Sequence, residues 1–145
     1  MHLQPQAALQ QQAQVLVVDD STSVRNTLSA LLRDADYRVT TARDGLEAIQ
    51  ALKDQHFSLV MTDLEMPRLN GFELTEFIRQ RSSQPDVPVI MISGNEQATE
   101  QFYVQRIGAD DFMKKPFSRY EVFSRIERLL DQEMVPRRKV AERSQ

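Results

Sequence analysis

Four places in this chain put a reactive side chain immediately after a short apolar run. Asp19 and Asp20 follow Val15–Val18, Asp63 follows Ser58–Thr62, Ser93 and Gly94 follow Pro88–Ile92, and Lys114, Lys115 and Pro116 follow Phe112-Met113. If these positions met, they would gather three carboxylates, a hydroxyl and an amine. Carboxylates packed together repel one another, and a hard divalent cation offsets that repulsion naturally. Magnesium takes oxygen ligands and binds through one or two carboxylates together with phosphate oxygens. A lysine ammonium can reach a phosphoryl oxygen as a compact charge, and a hydroxyl can hydrogen-bond the same oxygen. An aspartate can attack phosphorus to form an acyl phosphate. Since phosphoryl transfer is mostly positioning plus charge neutralisation, this inventory suits that reaction.

The elements that would position these groups alternate along the chain. Val15–Val18 is a continuous apolar run, as expected for a strand buried on both faces. Val24, Leu28, Leu31 and Leu32 then recur on one helical face. Tyr37–Thr41 is rich in β-branched and aromatic residues and predicts a strand. Asp44 and Glu47 resemble a capping box opening a helix with Leu46, Ile49 and Leu52 on its apolar face. Ser58–Thr62 predicts the third strand, and Asn70–Glu73 opens a helix carrying Leu74, Phe77 and Ile78. Pro88–Ile92 predicts the fourth strand, with proline at its first position. Residues 96–107 suggest a fourth helix with a thin apolar stripe. Phe112-Met113 marks a short fifth strand, and Ser118 with Glu121 begins a helix lined by Val122, Phe123, Ile126, Leu129 and Leu130.

Five strand–helix pairs in succession imply crossover connections and a parallel sheet covered on both faces, a doubly wound α/β fold. In such a sheet ligands bind beyond the carboxyl ends of the strands, where the strand order reverses. The aspartates, Ser93 and Lys115 all fall at that edge. Asp110-Asp111 has the composition of Asp19-Asp20 but precedes its strand, so it should lie at the opposite edge with a structural or solvent-facing role.

The stretches VLVVDDS (15–21), TDLEMPRLNGFEL (62–74), VIMISG (89–94) and MKKPF (113–117) together resemble the receiver domains of response regulators, over residues 14–132. The resemblance implies a flavodoxin-like strand order, 2-1-3-4-5, and a role for each residue. Asp63 matches the phospho-accepting aspartate. Asp20 matches the principal magnesium carboxylate, assisted by Asp19, and the backbone carbonyl of Glu65 completes the protein's share of the metal shell together with Asp63. Manganese can substitute for magnesium in such a shell. Lys115 matches the lysine that contacts the acyl phosphate, and the family's Lys-Pro bond there is usually cis. Ser93 matches the switch hydroxyl, and Phe112 the aromatic position that turns inward as the switch moves. Two features depart from the common pattern: Phe112 carries no hydroxyl, and Glu65 adds an acid beside the site. The implied partners are a sensor histidine kinase or histidine phosphotransfer protein, and a downstream protein. The latter would read the face formed by the fourth helix, fifth strand and last helix, where Phe102, Tyr103 and Tyr120 fall; a homodimer through that face is a further possibility.

Taken singly, each signal has a plainer reading. Asp19-Asp20 suits the start of a helix, where acids are favoured, and Lys114-Lys115 suits a solvated pair. Joint placement at one edge is what argues against the plainer readings. Among the four glycines there is no phosphate-cradling loop of nucleotide-binding type. A magnesium-dependent phosphohydrolase, with Asp63 as nucleophile and Glu65 as acid/base, is the enzyme alternative. The net charge of −3 disfavours direct nucleic-acid binding, and the absence of cysteine fits a reducing cytoplasm. No apolar run approaches a membrane span. Residues 1–13 are expected to form a loose Gln/Ala-rich arm, 14–132 the domain, and 133–145 a basic flexible tail. Too little chain follows the last helix for a DNA-binding domain, so output is expected through protein contact. The alternative is a receiver belonging to a larger regulator or hybrid kinase.

Overall fold

The computed structural model describes residues 13–95, 97 and 108–130. In chain order the elements are β1 (Gln14–Val18), α1 (Thr22–Asp34), β2 (Arg38–Ala42), α2 (Gly45–Asp54), β3 (Leu59–Asp63), α3 (Gly71–Arg81), β4 (Val89–Ser93), β5 (Asp111–Lys114) and α4 (Arg119–Leu129). The suggested helix over 96–107 falls on residues outside those described, apart from Gln97. The five strands are parallel throughout and lie in the order β2-β1-β3-β4-β5, as the resemblance implied.

The alternation of side chains along each strand divides the core in two. Val15, Val17, Leu59, Met61, Ile90 and Ile92 point to the face covered by Leu28 and Leu32 of α1 and by Val122 and Ile126 of α4. Leu16, Val18, Val60 and Val89 point to the other face, under Ala48 and Leu52 of α2 and Leu74 and Ile78 of α3. Covering both faces is what makes the central strands continuous apolar runs rather than alternating ones. Truncating one of these fully buried leucines to alanine costs about 2–5 kcal/mol.

Each described helix starts at a polar cap that accepts a backbone N–H: Ser21, Asp44, Asn70 and Ser118. Such a cap contributes about 1 kcal/mol and places the helix start to within a residue. The reciprocal capping box is complete at Asn70 and Glu73. At Asp44 the returning arm differs from expectation, because Glu47 Oε1 accepts from the N–H of Arg43, one residue ahead of the cap. Leu46 is also corrected: it is 55% exposed, and Gly45, Ala48 and Leu52 form the buried stripe of α2 instead. The i, i+3 spacing of Leu46, Ile49 and Leu52 is helical, but the sheet-facing stripe lies one residue earlier along the turn.

β3, β4 and β5 run one residue further than their apolar runs suggest. Asp63 pairs with Ile92 inside the sheet, and Ser93 pairs with Lys114. The ladder continues because Leu64 N–H donates to the carbonyl of Ile92 and Lys115 N–H to that of Ser93. Asp63 and Ser93 are therefore the last residues of rigid strands rather than the first of loops.

Candidate functional site

The carboxyl ends of β1, β3, β4 and β5 lie at one edge of the sheet, with β3 ending one residue beyond β1 and β4 one residue beyond β3. Val18 pairs with Thr62, so Asp19 and Asp63 emerge side by side from adjacent strands. Asp19 is buried at 1% exposure, and its N–H donates to the Ala42 carbonyl, extending β1 toward β2. Its Oδ1 accepts the N–H of Ser21 at 2.8 Å, and its carbonyl accepts from Arg25 Nη1 at 2.6 Å. Asp20 is exposed at the rim. One carboxylate oxygen from each of Asp19, Asp20 and Asp63 lies within 4.8 Å of the others.

Lys115 enters from the end of β5, through a Lys115–Pro116 peptide that is cis. Its Nζ sits 2.9 Å from Asp19 Oδ2 and 3.4 Å from Asp63 Oδ1. The ammonium is thus the close partner of the buried Asp19 Oδ2. Burial works to lower the lysine pKa, yet the pairing with Asp19 and the charge of Asp63 outweigh it, and the ammonium is held firmly protonated.

Asp63 is 5% exposed. Burial and the Asp19 carboxylate push its pKa up to about 6, against the opposing pull of Lys115 and of the Glu65 N–H. That N–H reaches Asp63 Oδ1 at 3.4 Å. At neutral pH the carboxylate is thus ionised but costly, in an arrangement that a bound cation would relieve.

The backbone around Asp63 is fixed from the α3 side. Gly71 N–H donates to the Leu64 carbonyl, and a Cβ at position 71 would come within 2.7 Å of the Asp63 carbonyl oxygen and 2.9 Å of Leu64 Cα. Only glycine allows α3 to begin this close to the end of β3. Across the sheet, buried Ser93 donates its Oγ proton to Glu65 Oε1 at 3.2 Å and accepts the N–H of Asn95 at 3.1 Å. Phe112 is already turned inward, 5% exposed and packed with Leu64, Phe72 and Met91. A cleft of about 530 Å³ opens beside the carboxylates rather than over Asp63, with Asp20, Glu65, Met66, Phe72 and Asn95 in its wall.

Asp19, Asp20, Asp63, Glu65, Ser93 and Lys115 thus gather at one edge of the sheet, with Phe112 two positions before the end of β5. Asp110 lies at the other end of β5, where it accepts from Arg79 Nη2 and from the N–H of Val89, and Asp111 pairs with Arg125. Sequence reasoning missed Ser21, Arg25 and Asn95. Ser21 carried a signal, as a helix-capping residue directly after the acidic pair; the other two roles depend on tertiary register alone.

The donor set fits a hard divalent cation. It offers oxygen atoms only, carries excess negative charge, and includes two buried carboxylates, Asp19 and Asp63. Among the described residues these three aspartates are the one cluster of potential ligands of this kind.

Residues 15–127 match the family described as the response regulator receiver domain. The chain is 34% identical over 112 residues to Protein PilG of Pseudomonas aeruginosa, covering 77% of this chain and 83% of that protein. It is 38% identical over 120 residues to a probable transcriptional regulator, ycf27, of Porphyridium aerugineum, covering 83% of this chain and 49% of that one. The chain spans about half the length of that relative and of the other ycf27 regulators it matches. Among solved structures, the chemotaxis protein CheY4 of Vibrio cholerae superposes with a TM-score of 0.74 at 34% identity, over 81% of this chain and 98% of that one. The receiver domain of a Pseudomonas aeruginosa sensor histidine kinase, solved with a magnesium ion in its active-site cleft, gives 0.73 at 28% identity, over 80% and 95%. With the strand order, the acidic edge and the family match in agreement, this chain belongs to the response regulator receiver domain family.

Proposed function

We propose that the chain accepts a phosphoryl group on Asp63 from a histidine kinase or phosphotransfer protein and thereby switches a protein-binding face. The observation that carries this reading is the meeting of three carboxylates at one point with Lys115 already against Asp63. An oxygen of ionised Asp63 attacks the donor's phosphorus, forming an O–P bond. The donor's P–N bond, or P–O bond in a small acyl phosphate, breaks, and its electron pair leaves with the donor. Asp19, Asp20, Asp63 and the backbone carbonyl of Glu65 would hold magnesium, or manganese in its place, which when bound neutralises charge on the phosphoryl oxygens. Lys115 supplies the remaining positive charge, from a position between Asp19 and Asp63 at the end of β5. Ser93 then turns its hydroxyl to the phosphoryl group, and the packing around Phe112 adjusts with it.

Of the face that responds, β5 and α4 are described, and the suggested helix over 96–107 lies outside the described residues apart from Gln97. Tyr120 stands on α4 at 81% exposure, a suitable contact for a partner protein or a second copy; Phe102 and Tyr103 lie outside the described residues. We assign the domain to residues 14–132, with 1–13 and 133–145 as appendages, and place its action in the cytoplasm without direct nucleic-acid binding. No helix among the described residues is long and apolar enough to cross a membrane.

The testing experiment supplies magnesium and a small acyl-phosphate donor and compares phosphoryl retained on the chain with phosphate released. Retention near one group per chain supports the receiver reading. Phosphate released over many turnovers would favour a phosphohydrolase.

A further inference from the structure

The Ser93 hydroxyl has one proton to donate, and it is committed to a partner. That partner is the Glu65 carboxylate, at 3.2 Å, while the hydroxyl's lone pair takes the N–H of Asn95. Ser93 is 1% exposed and sits on the last position of β4, so few other arrangements are open to it. Glu65 by contrast is exposed on the loop after β3 and lines the neighbouring cleft, which leaves its carboxylate room to move away.

We infer that Glu65 is a positioning residue that latches the Ser93 hydroxyl in a resting orientation and so sets the threshold for the switch at Asp63. The inference rests on the phosphoryl-acceptor reading and adds a regulatory element to it. To hydrogen-bond a phosphoryl group on Asp63, Ser93 must surrender Glu65. The bond being surrendered runs to a carboxylate but is long at 3.2 Å, so it is a modest restraint. Its loss is softened because water can solvate the exposed carboxylate afterwards, so the latch is weak enough to be opened. The same residue also touches the acceptor through its main chain, since the Glu65 N–H reaches Asp63 Oδ1. Events at Asp63 and the resting place of Ser93 are thus tied to a single loop residue. A ligand shifts a two-state element only by its differential affinity, and Glu65 is favourable to one state alone.

The test is a double-mutant cycle on the full chain, reading the affinity for beryllofluoride in saturating magnesium by NMR titration. Glu65→Ala should tighten binding about three- to tenfold when Ser93 is present, the equivalent of one net hydrogen bond. In a Ser93→Ala background the same change should have less than about a third of that effect. Glu65→Gln, which keeps an acceptor oxygen, should fall between wild type and Glu65→Ala. Equal tightening in both backgrounds would show that Glu65 acts by general charge repulsion, and the latch would be overturned. No effect of Glu65→Ala in either background would overturn it as well. Wild-type protein that fails to bind beryllofluoride at all would instead defeat the underlying acceptor reading, an outcome separable from the other two.

Discussion

Lys115 lies closer to Asp19 than to Asp63, with Nζ at 2.9 Å from one carboxylate and 3.4 Å from the other. The ammonium occupies the ground between the acids that a cation would share, acting there as a counter-charge. A cation drawing on Asp19 competes with that pairing and leaves the ammonium available to a phosphoryl oxygen. Lys115→Met should therefore tighten magnesium binding severalfold, read by isothermal titration, while slowing phosphoryl acceptance by at least tenfold. Weaker magnesium binding in this variant would contradict the competition.

The raised pKa of Asp63, about 6, gives cation binding a pH dependence. Below that value a proton occupies the carboxylate, so magnesium affinity should fall as pH drops from 7 to 5, by up to about tenfold per unit once below the pKa. An affinity flat across this range would show that Asp63 does not take part in binding the cation.

The same group sets a stability trend. Its folded pKa of about 6 lies above the ordinary 3.8, so the folded chain holds the proton more tightly than the unfolded chain. The stabilising contribution is full below about pH 3.8 and lost as pH rises through 6. Asp63→Asn should consequently stabilise the magnesium-free protein at pH 8 by about 1–3 kcal/mol. The gain should shrink toward zero near pH 4, as urea unfolding would record.

Gly71 is predicted to be intolerant for a reason local to the site. A Cβ placed 2.7 Å from the Asp63 carbonyl forces α3 away from β3. Gly71→Ala should cost about 1–3 kcal/mol in unfolding experiments, and the fraction that remains folded should accept phosphoryl groups more slowly. Wild-type rates at reduced stability would mean that the displacement does not reach Asp63.

Asp110 supplies the contrast, an acid at the wrong edge. Asp110→Ala leaves the buried N–H of Val89 and one side of Arg79 without their acceptor, at a cost of about 1–3 kcal/mol. Phosphoryl acceptance per folded molecule should be unchanged.

Most of the site could be read from the chain because a parallel sheet buried on both faces makes its strands apolar runs, and the polar residue ending each run marks the functional edge. Asp63 and Ser93 end their runs in this way, whereas Lys115, one residue past Lys114, is singled out by the resemblance to receiver domains. Asp19-Asp20 was separated from Asp110-Asp111 by which end of a strand each adjoins. What stayed hidden depends on distances between strands. The Ser93–Glu65 bond spans 28 residues of sequence and exists because β3 and β4 are neighbours, with Asp63 paired to Ile92. The preference of Lys115 for Asp19 is likewise a matter of ångströms, invisible to spacing. Leu46 was misplaced because periodicity specifies a helical face without saying which turn meets the sheet.

The central claim, that Asp63 is the magnesium-dependent acceptor, is tested most directly by intact mass after incubation with a small acyl-phosphate donor. Wild type should gain one phosphoryl group with magnesium and none in the presence of a chelator, and Asp63→Asn should gain none under either condition. An adduct that persists in Asp63→Asn, or that forms equally well without the metal, would contradict the account.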